Sequence, residues 1–344
     1  MPSNLQFREN VPLAPLTTFN IGGPARFFAQ ALTEADLTEA LSFASTHTLP
    51  LFVLGGGSNL LVPDAGYPGL VLHLKIPGIE PLANGLFDVG AGVSWDAFVN
   101  HAIAANHAGI ECLAGIPGSV GGTPVQNVGA YGQEVAETIT SVRAFDRQTH
   151  TLVDLPKAAC NFRYRASLFN TDARNRYIVT RVRFKLCPNG APTLHYADLK
   201  KHFANTTPTL TQVAAAVREI RRSKGMLIVP GDPDSHSAGS FFKNPIIPTA
   251  QLPSIAAAAN VDSIPNWPTS PTETKLPAAW LLEHAGFIKG YGTGPAGIST
   301  RHTLALVNRG HATFADIEAL QSEIISTVQA KFNITLEREP VLLA

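Results

Sequence analysis

Charge is scarce in this sequence. Asp, Glu, Lys and Arg supply 15% of its 344 residues, and 26 basic side chains balance 26 acidic ones. With zero net charge and no basic run, the chain lacks the electrostatic footprint of a nucleic-acid surface. Cysteine is rare too: Cys112, Cys160 and Cys187 are odd in number, widely spaced and form no CxxC pair. They read as free thiols in a reducing compartment rather than a disulfide framework. No apolar run approaches the ~20 residues needed to span a bilayer, and the first ten residues hold no apolar signal-peptide core. A soluble, cytoplasmic chain is expected. The eleven histidines fall into no metal-ligand pattern and HExxH is absent, so no metal is expected. The 45% hydrophobic content is ordinary for a globular protein, and the length suits about two or three domains.

Glycine, by contrast, is concentrated in two places. Gly55-Gly56-Gly57-Ser58-Asn59 follows the apolar run Leu51–Leu54, and a longer stretch runs from Gly118 to Gly132. Each glycine costs conformational entropy and packs nothing, so such density suits a backbone laid against a ligand. At 55–60 the spacing is not GxGxxG, since position 60 is Leu, nor is it GxxxxGK[ST]. Taken alone, the first cluster reads equally as a tight strand-to-loop turn or as a bend whose N–H groups converge on an anion, with Ser58 and Asn59 adding side-chain donors. The second favours a ligand: Pro117 and Pro124 stiffen its shoulders, and Gln126 and Asn127 carry donors and acceptors suited to a flavin or nucleotide ring edge. Two such loops suggest a large, phosphate-bearing cofactor.

Around them the pattern mixes strands and helices without regular alternation, which predicts an α+β fold. Strands are expected at 51–54, 70–74, 87–92, 139–145, 149–155 and 177–184. Helices are expected from a Ser94 cap to about His107, from a Thr211 cap to about Ser223, over 278–285, and over 314–332 behind a Thr313/Asp316 capping box. Residues 334–343 look strand-like, and the Pro/Asp/Ser segment 230–237 reads as a hinge or junction.

Six segments now carry a resemblance. They are Thr17–Gly23, Leu54–Leu60, Gly115–Gly122 continuing to Gly132, Phe162–Phe169, Ala238–Pro245 and Leu336–Glu339. In order and across nearly the whole chain, they resemble the motifs of the UDP-N-acetylenolpyruvoylglucosamine reductase family. The resemblance implies a vanillyl-alcohol-oxidase/PCMH-type FAD-binding fold of two α+β subdomains plus a C-terminal α+β substrate-binding domain. The boundaries implied are 1–74 and 75–225 for the FAD subdomains and 226–329 for the substrate domain, with 330–344 packing back on the first. It implies that NADPH, the co-substrate, reduces non-covalent FAD, and that the reduced flavin passes a hydride to UDP-N-acetylglucosamine enolpyruvate. The product would be UDP-N-acetylmuramate, for peptidoglycan synthesis and hence cell-wall biogenesis, shape and division. A covalent histidyl-flavin is not expected, because neither glycine loop holds a histidine. A monomer is expected, without nucleic acid or membrane partners.

By motif position, Arg165, Ser240 and Glu339 are the implied catalytic residues. An always-charged guanidinium can fork onto the substrate carboxylate as negative charge builds there. Ser240 would donate the proton, though a hydroxyl is a weak acid and needs a basic intermediate or a relay. An ionised Glu339 would repel that charge, so a raised pKa or a close cation is expected there. The FAD contacts implied are Gly55, Gly56, Gly57, Ser58, Asn59, Leu60, Ile116, Pro117, Gly118, Ser119, Gly121, Gly122, Gln126, Asn127, Gly129 and Arg221. The substrate contacts implied are Tyr131, Tyr196, Lys224, Asn244 and Lys289, the lysines facing the diphosphate. Residue types alone leave Arg165 as readable as a surface ion partner and Ser240 as a turn serine; no GxSxG elbow surrounds it, which disfavours a hydrolase. The alternatives are a flavin oxidase of the same fold acting on an alcohol or sugar, and a non-catalytic nucleotide-sugar binder.

Overall fold

A computed structural model describes residues 5–204 and 206–344. Their contacts group into two compact units. The first runs to Val11 and takes in Ala25–Gly57 and Pro68–Arg222. The second comprises Pro12–Pro24, Ser58–Tyr67 and Ser223–Ala344.

The first unit holds two sheets. One has the strand order Arg8–Pro12, Pro24–Ala31, Tyr67–Leu74, Leu51–Leu54. Its last two strands are parallel, with Leu54 opposite His73, so the chain must leave the sheet after Leu54 and return. The helix Glu34–Thr46 covers this sheet, opened by a Thr33/Asp36 capping box. Its Leu37, Ala40 and Ala44 pack with Ala29, Ala31, Leu70 and Leu72. The other sheet is antiparallel, in the order Thr151–Pro156, Ile139–Asp146, Tyr177–Lys185, Leu86–Gly90, Ile79–Pro81. The helices Trp95–Ala104 and Leu210–Ser223 bury Trp95, Phe98, Val213 and Val217 against its Phe87, Val182 and Phe184. Phe145 and Ile178 of this second sheet join the cluster of the first, so the two layers of this unit are packed together.

The second unit is built around the helix Phe314–Phe332, whose Ile317, Leu320, Ile324 and Val328 recur at helical spacing on one buried face. Against it lie the helix Ala278–His284, the hairpin Ala296–Ile298/Leu306–Asn308, and Phe241 and Phe242. At the chain's end Val341–Leu342 pairs in parallel with Leu60–Leu61.

Each strand expected between 51 and 184 overlaps an observed one, and the capping box of Phe314–Phe332 is present; the strands Arg8–Pro12 and Pro24–Ala31 were not among those expected. Three local expectations are corrected. Thr209, not Thr211, caps the helix Leu210–Ser223: Gln212 N–H donates to Thr209 Oγ1 at 3.3 Å, and Gln212 Oε1 accepts from Thr209 in return. Thr211 has Ala214 three residues on, which cannot reciprocate. Ser94 holds the N-cap position but its side chain makes no cap bond; instead Trp95 N–H donates to the Gly118 carbonyl at 3.0 Å. Residues 334–343 form a strand only at Val341–Leu342, since Pro340 lacks an N–H to continue a ladder. The helix Glu34–Thr46 went unread although Thr33 and Asp36 carry its signature.

All three cysteines are free thiols. Burial pushes Cys112 up to about 12 and Cys160 to about 11, which makes both inert. Among the described residues no helix is long and apolar enough to cross a membrane.

Candidate active site

In the first unit the two glycine loops meet. A Cβ on Gly56 would lie 2.5 Å from Gly118 Cα and 2.8 Å from Ser119 N, and one on Gly55 would lie 2.9 Å from Ser119 Oγ. Backbone therefore rests on backbone, which only glycine permits. The second loop is anchored from below: Val120 and Gly121 N–H donate to Val93 and Ala91 carbonyls at 2.9 Å, while Gly122 and Thr123 N–H turn inward to Ser119 and Val120. Amides at 120–123 are thus engaged in holding the loop itself, and the meeting point of the loops lies at 55–56 and 118–119. A side chain at Gly56 would therefore push the two loops apart.

The Arg165 turn is tied to the same loop. Ser167 Oγ donates to Val125 O at 2.6 Å, and Asn127 Nδ2 donates to Arg163 O at 3.1 Å and to Glu134 at 2.7 Å. Asn127 Oδ1 accepts from Ala136 N–H, so both ends of that buried amide work inside the protein. Arg165 adopts left-handed backbone, φ +53°, unusual for a long side chain. Asn170 holds its carbonyl at 3.2 Å, and the Tyr164 ring lies 5.4 Å from its guanidinium carbon.

Tyr131 and Tyr196 come together edge to face, their rings 5.2 Å apart. Arg221, buried on the helix Leu210–Ser223, donates to Gly115 O at 3.1 Å and meets Tyr131. Burial lowers its pKa, with Tyr131 and Asp96 opposing that shift. Arg221 thereby joins Tyr131 to the start of the second loop, a link that sequence spacing cannot show.

The second unit brings Ser240 and Glu339 onto paired backbone. Glu339 N–H donates to Phe241 O and Lys243 N–H to Glu337 O, both at 2.9 Å, with Phe242 and Arg338 as bridge partners. Asn59 Nδ2 donates to Glu339 O at 3.3 Å, and Val341 N–H donates to Asn59 O at 2.9 Å. The short strand 341–342 therefore anchors Glu339 against Leu60. Ser240 and Glu339 are both half-buried. Asn244 Oδ1 accepts from Ala278 N–H at 2.9 Å, which fixes the amide and turns its NH2 away from the helix start.

The charges of Lys224 and Lys289 both act on one group that the sequence did not single out, His302. Burial, then the charges of Lys224 and Lys289, lower its pKa to about 4, with Glu283 opposing. Its Nδ1 accepts from Leu304 N–H at 3.0 Å, which leaves the proton of the neutral ring on Nε2. Leu304 in turn accepts from Phe241 N–H at 2.7 Å, one residue beyond Ser240. No sequence motif surrounds His302; only the fold places it here.

Comparison with known proteins bears on this arrangement. Residues 25–155 match the FAD binding domain family, and residues 232–343 match the C-terminal domain of UDP-N-acetylenolpyruvoylglucosamine reductase. The UDP-N-acetylenolpyruvoylglucosamine reductase of Streptomyces avermitilis is 45% identical, over 98% of this chain and 95% of that protein. That of Thermobifida fusca is 42% identical over 98% of each. The crystal structure of the reductase from Thermus caldophilus superposes with a TM-score of 0.68 at 27% identity, covering 99% of both chains. An α+β fold with an FAD binding domain defines an FAD-dependent oxidoreductase. Identity at this level over nearly the full length is decisive: the chain belongs to the UDP-N-acetylenolpyruvoylglucosamine reductase family.

Proposed function

We propose that this chain reduces UDP-N-acetylglucosamine enolpyruvate to UDP-N-acetylmuramate, with NADPH as co-substrate, in peptidoglycan precursor synthesis in the cytoplasm. The observation that carries the reading is the pairing of the Ser240 and Glu339 segments inside the unit that matches the reductase C-terminal domain.

FAD, when bound, supplies the hydride chemistry. The residues that would hold it are the backbone of Gly55 to Leu60 and Ile116 to Ser119, with Gln126, Asn127 and Gly129 along the same loop; Gly121 and Gly122, whose amides bond within the protein, would keep that loop in shape. The inward hydrogen bonds of Asn127 suit it to keeping that loop in shape. Arg221 would act through Gly115 and Tyr131.

The remaining work falls to this chain's side chains. Hydride addition to the terminal carbon of the enol ether builds negative charge on the neighbouring carbon and its carboxylate. The Arg165 guanidinium would fork onto that carboxylate, steadied by Tyr164 and by a turn pinned to the loop. Ser240 Oγ would hold the proton that the charged carbon takes. Glu339, fixed on its short strand, would sit beside the same centre. Lys224, Lys289 and Asn244 would bind the diphosphate through charge-assisted and amide donors, and the Tyr131–Tyr196 pair would orient the sugar nucleotide.

Stopped-flow separation of the two half-reactions tests the reading. Purified protein should be yellow, NADPH should bleach it without substrate, and the enolpyruvyl compound should restore the colour anaerobically. Recovery only with oxygen, or consumption of an alcohol, would point to an oxidase instead. Colourless protein that FAD cannot reconstitute would favour a binding module.

A further inference from the structure

The segment 225–239 that follows Lys224 is rich in Pro and Asp and contains little regular structure, yet Lys224 must hold one position to grip a ligand. The structure shows what restrains it. Arg301 makes a two-pronged contact with Asp232, Nη2 lying 2.6 Å from Oδ1 and 2.5 Å from Oδ2, and its Nε donates to Asp234 Oδ2 at 2.9 Å. Thr300 Oγ1 donates to the same Asp234 oxygen at 2.8 Å, and Thr300 N–H reaches Asp234 Oδ1 at 3.4 Å. Asp234 is 5% exposed. Burial alone would raise its pKa, but donors from Thr300, Arg301 and Ser299 outweigh that and hold it below the ordinary value.

This clasp closes on the turn Ser299–His302, and both lysines are set against that turn. Beside Lys224, Gly225 has φ +64°, and a Cβ there would lie 3.2 Å from Ser299 Oγ, 3.3 Å from Arg301 Nε and 3.3 Å from Asp234 Cβ. Beside Lys289, Gly290 N–H donates to Ser299 O at 3.0 Å. Fully buried Ser299 accepts at its Oγ from Arg301 and His302 N–H, at 3.0 and 3.2 Å. One turn therefore carries the backbone neighbours of both cations, and it holds the imidazole that feels both.

We propose that Arg301 is a positioning residue: by clasping Asp232 and Asp234 it fixes the Ser299–His302 turn, and through it sets Lys224 and Lys289 in advance for one diphosphate. This rests on the reading that those lysines meet the substrate diphosphate. Pre-setting two flexible side chains removes ordering cost from binding. The ammonium of a lysine at position 301 could not span both carboxylates as the guanidinium fork does.

The test uses the FAD-loaded full chain as Arg301→Met, Arg301→Lys and Gly225→Ala. Binding of the enolpyruvyl substrate to the oxidised enzyme is read from the flavin spectrum, and inorganic pyrophosphate is titrated in parallel by calorimetry. Arg301→Met should weaken both ligands about tenfold and raise KM similarly, with kcat changing less than about threefold. Flavin content and the NADPH half-reaction should stay as in the wild type. Arg301→Lys should recover only part of the loss, and Gly225→Ala, whose Cβ would press on Ser299, Arg301 and Asp234, should reproduce it. If Arg301→Met binds both ligands like the wild type, the inference falls; so it does if the loss lies in kcat or flavin content alone. If Arg301→Met fails to fold, Gly225→Ala decides by the same two criteria. A wild type that holds pyrophosphate, loses it on Arg301→Met, and never turns over the enolpyruvyl compound would sink the function and keep the inference. A wild type that binds neither anion would overturn both.

Discussion

Ser240 and Arg165 differ in how the chain prepares them. Ser240 follows Gly239, whose φ of +75° turns the backbone just before two buried phenylalanines. Its neighbour Phe241 is held from both sides, by Leu304 O and by Glu339 N–H. The hydroxyl therefore sits on a rigid support although it is only half-buried. Ser240→Ala is expected to leave NADPH-driven flavin bleaching intact and slow substrate reduction by about 10²–10⁴-fold; equal loss in both half-reactions, seen by stopped-flow absorbance, would remove its donor role. Arg165 sits in left-handed backbone held by Asn170, Ser167 and Asn127. Arg165→Lys keeps the charge and loses the fork, and should lower kcat/KM for the enolpyruvyl substrate by about 10–100-fold. Turnover assays on protein with unchanged flavin content check it, and near-normal rates would exclude Arg165 from carboxylate binding.

At the scale of elements, the glycine loops and the capped helices carry separate burdens. Gly56 allows one loop to lie on Gly118 and Ser119, so Gly56→Ala must push the two backbones apart. Bound FAD should be lost or weakened about tenfold or more, measured as flavin retained through gel filtration and as recovery of free-flavin fluorescence. The loss should come with little change in the denaturant midpoint, because the second loop has its own anchors at Val93 and Ala91. The helix Phe314–Phe332 shows the opposite case. Asp316 takes Thr313 N–H at 2.8 Å while Thr313 Oγ1 takes Asp316 N–H at 3.2 Å, and hydrogen bonds hold the Asp316 pKa below its ordinary value. Asp316→Ala should cost about 1 kcal/mol of stability and leave flavin binding unchanged, as followed by urea unfolding and flavin titration.

For the whole molecule, two histidines, one buried and one half-buried, set the acid limit. His73, in the first unit, and His302, in the second, are both held near 4 against an ordinary 6.5, in each case chiefly by burial. Folded, they refuse a proton that the unfolded chain accepts, so the unfolded state binds more protons once pH falls below 6.5. Stability should be level above about pH 7, decline between pH 6.5 and about 4, and level again with respect to these groups below that. The thermal midpoint should drop by roughly 5 °C or more across that window. His73→Phe should remove part of the slope, and a scan by circular dichroism across pH 4–8 would show it. An unchanged slope in that variant would mean His73 does not share in the acid limit.

Much of this was legible in the residues themselves. Alternation marked a strand at 177–184, paired runs around Asp146-Arg147-Gln148 marked one at 139–145, and Thr313 with Asp316 marked a helix start, because these signals depend on neighbours a few positions apart. Glycine density at 55–57 and 118–122 marked backbone that must approach something closely, and ordered motifs marked Arg165, Ser240 and Glu339. What remained hidden depends on partners far along the chain. Gly56 meeting Gly118, Arg221 reaching Gly115, and Glu339 pinned by Asn59 all join residues that no local rule couples. Likewise Arg301 and Asp232 look like ordinary polar residues until packing brings them together. Local sequence determined the elements, the glycine-rich backbone and the chemical types on offer, since those follow from covalent geometry and short-range hydrogen bonding. Tertiary structure alone decided which donors meet which acceptors, because only burial makes such pairs close, dry and strong.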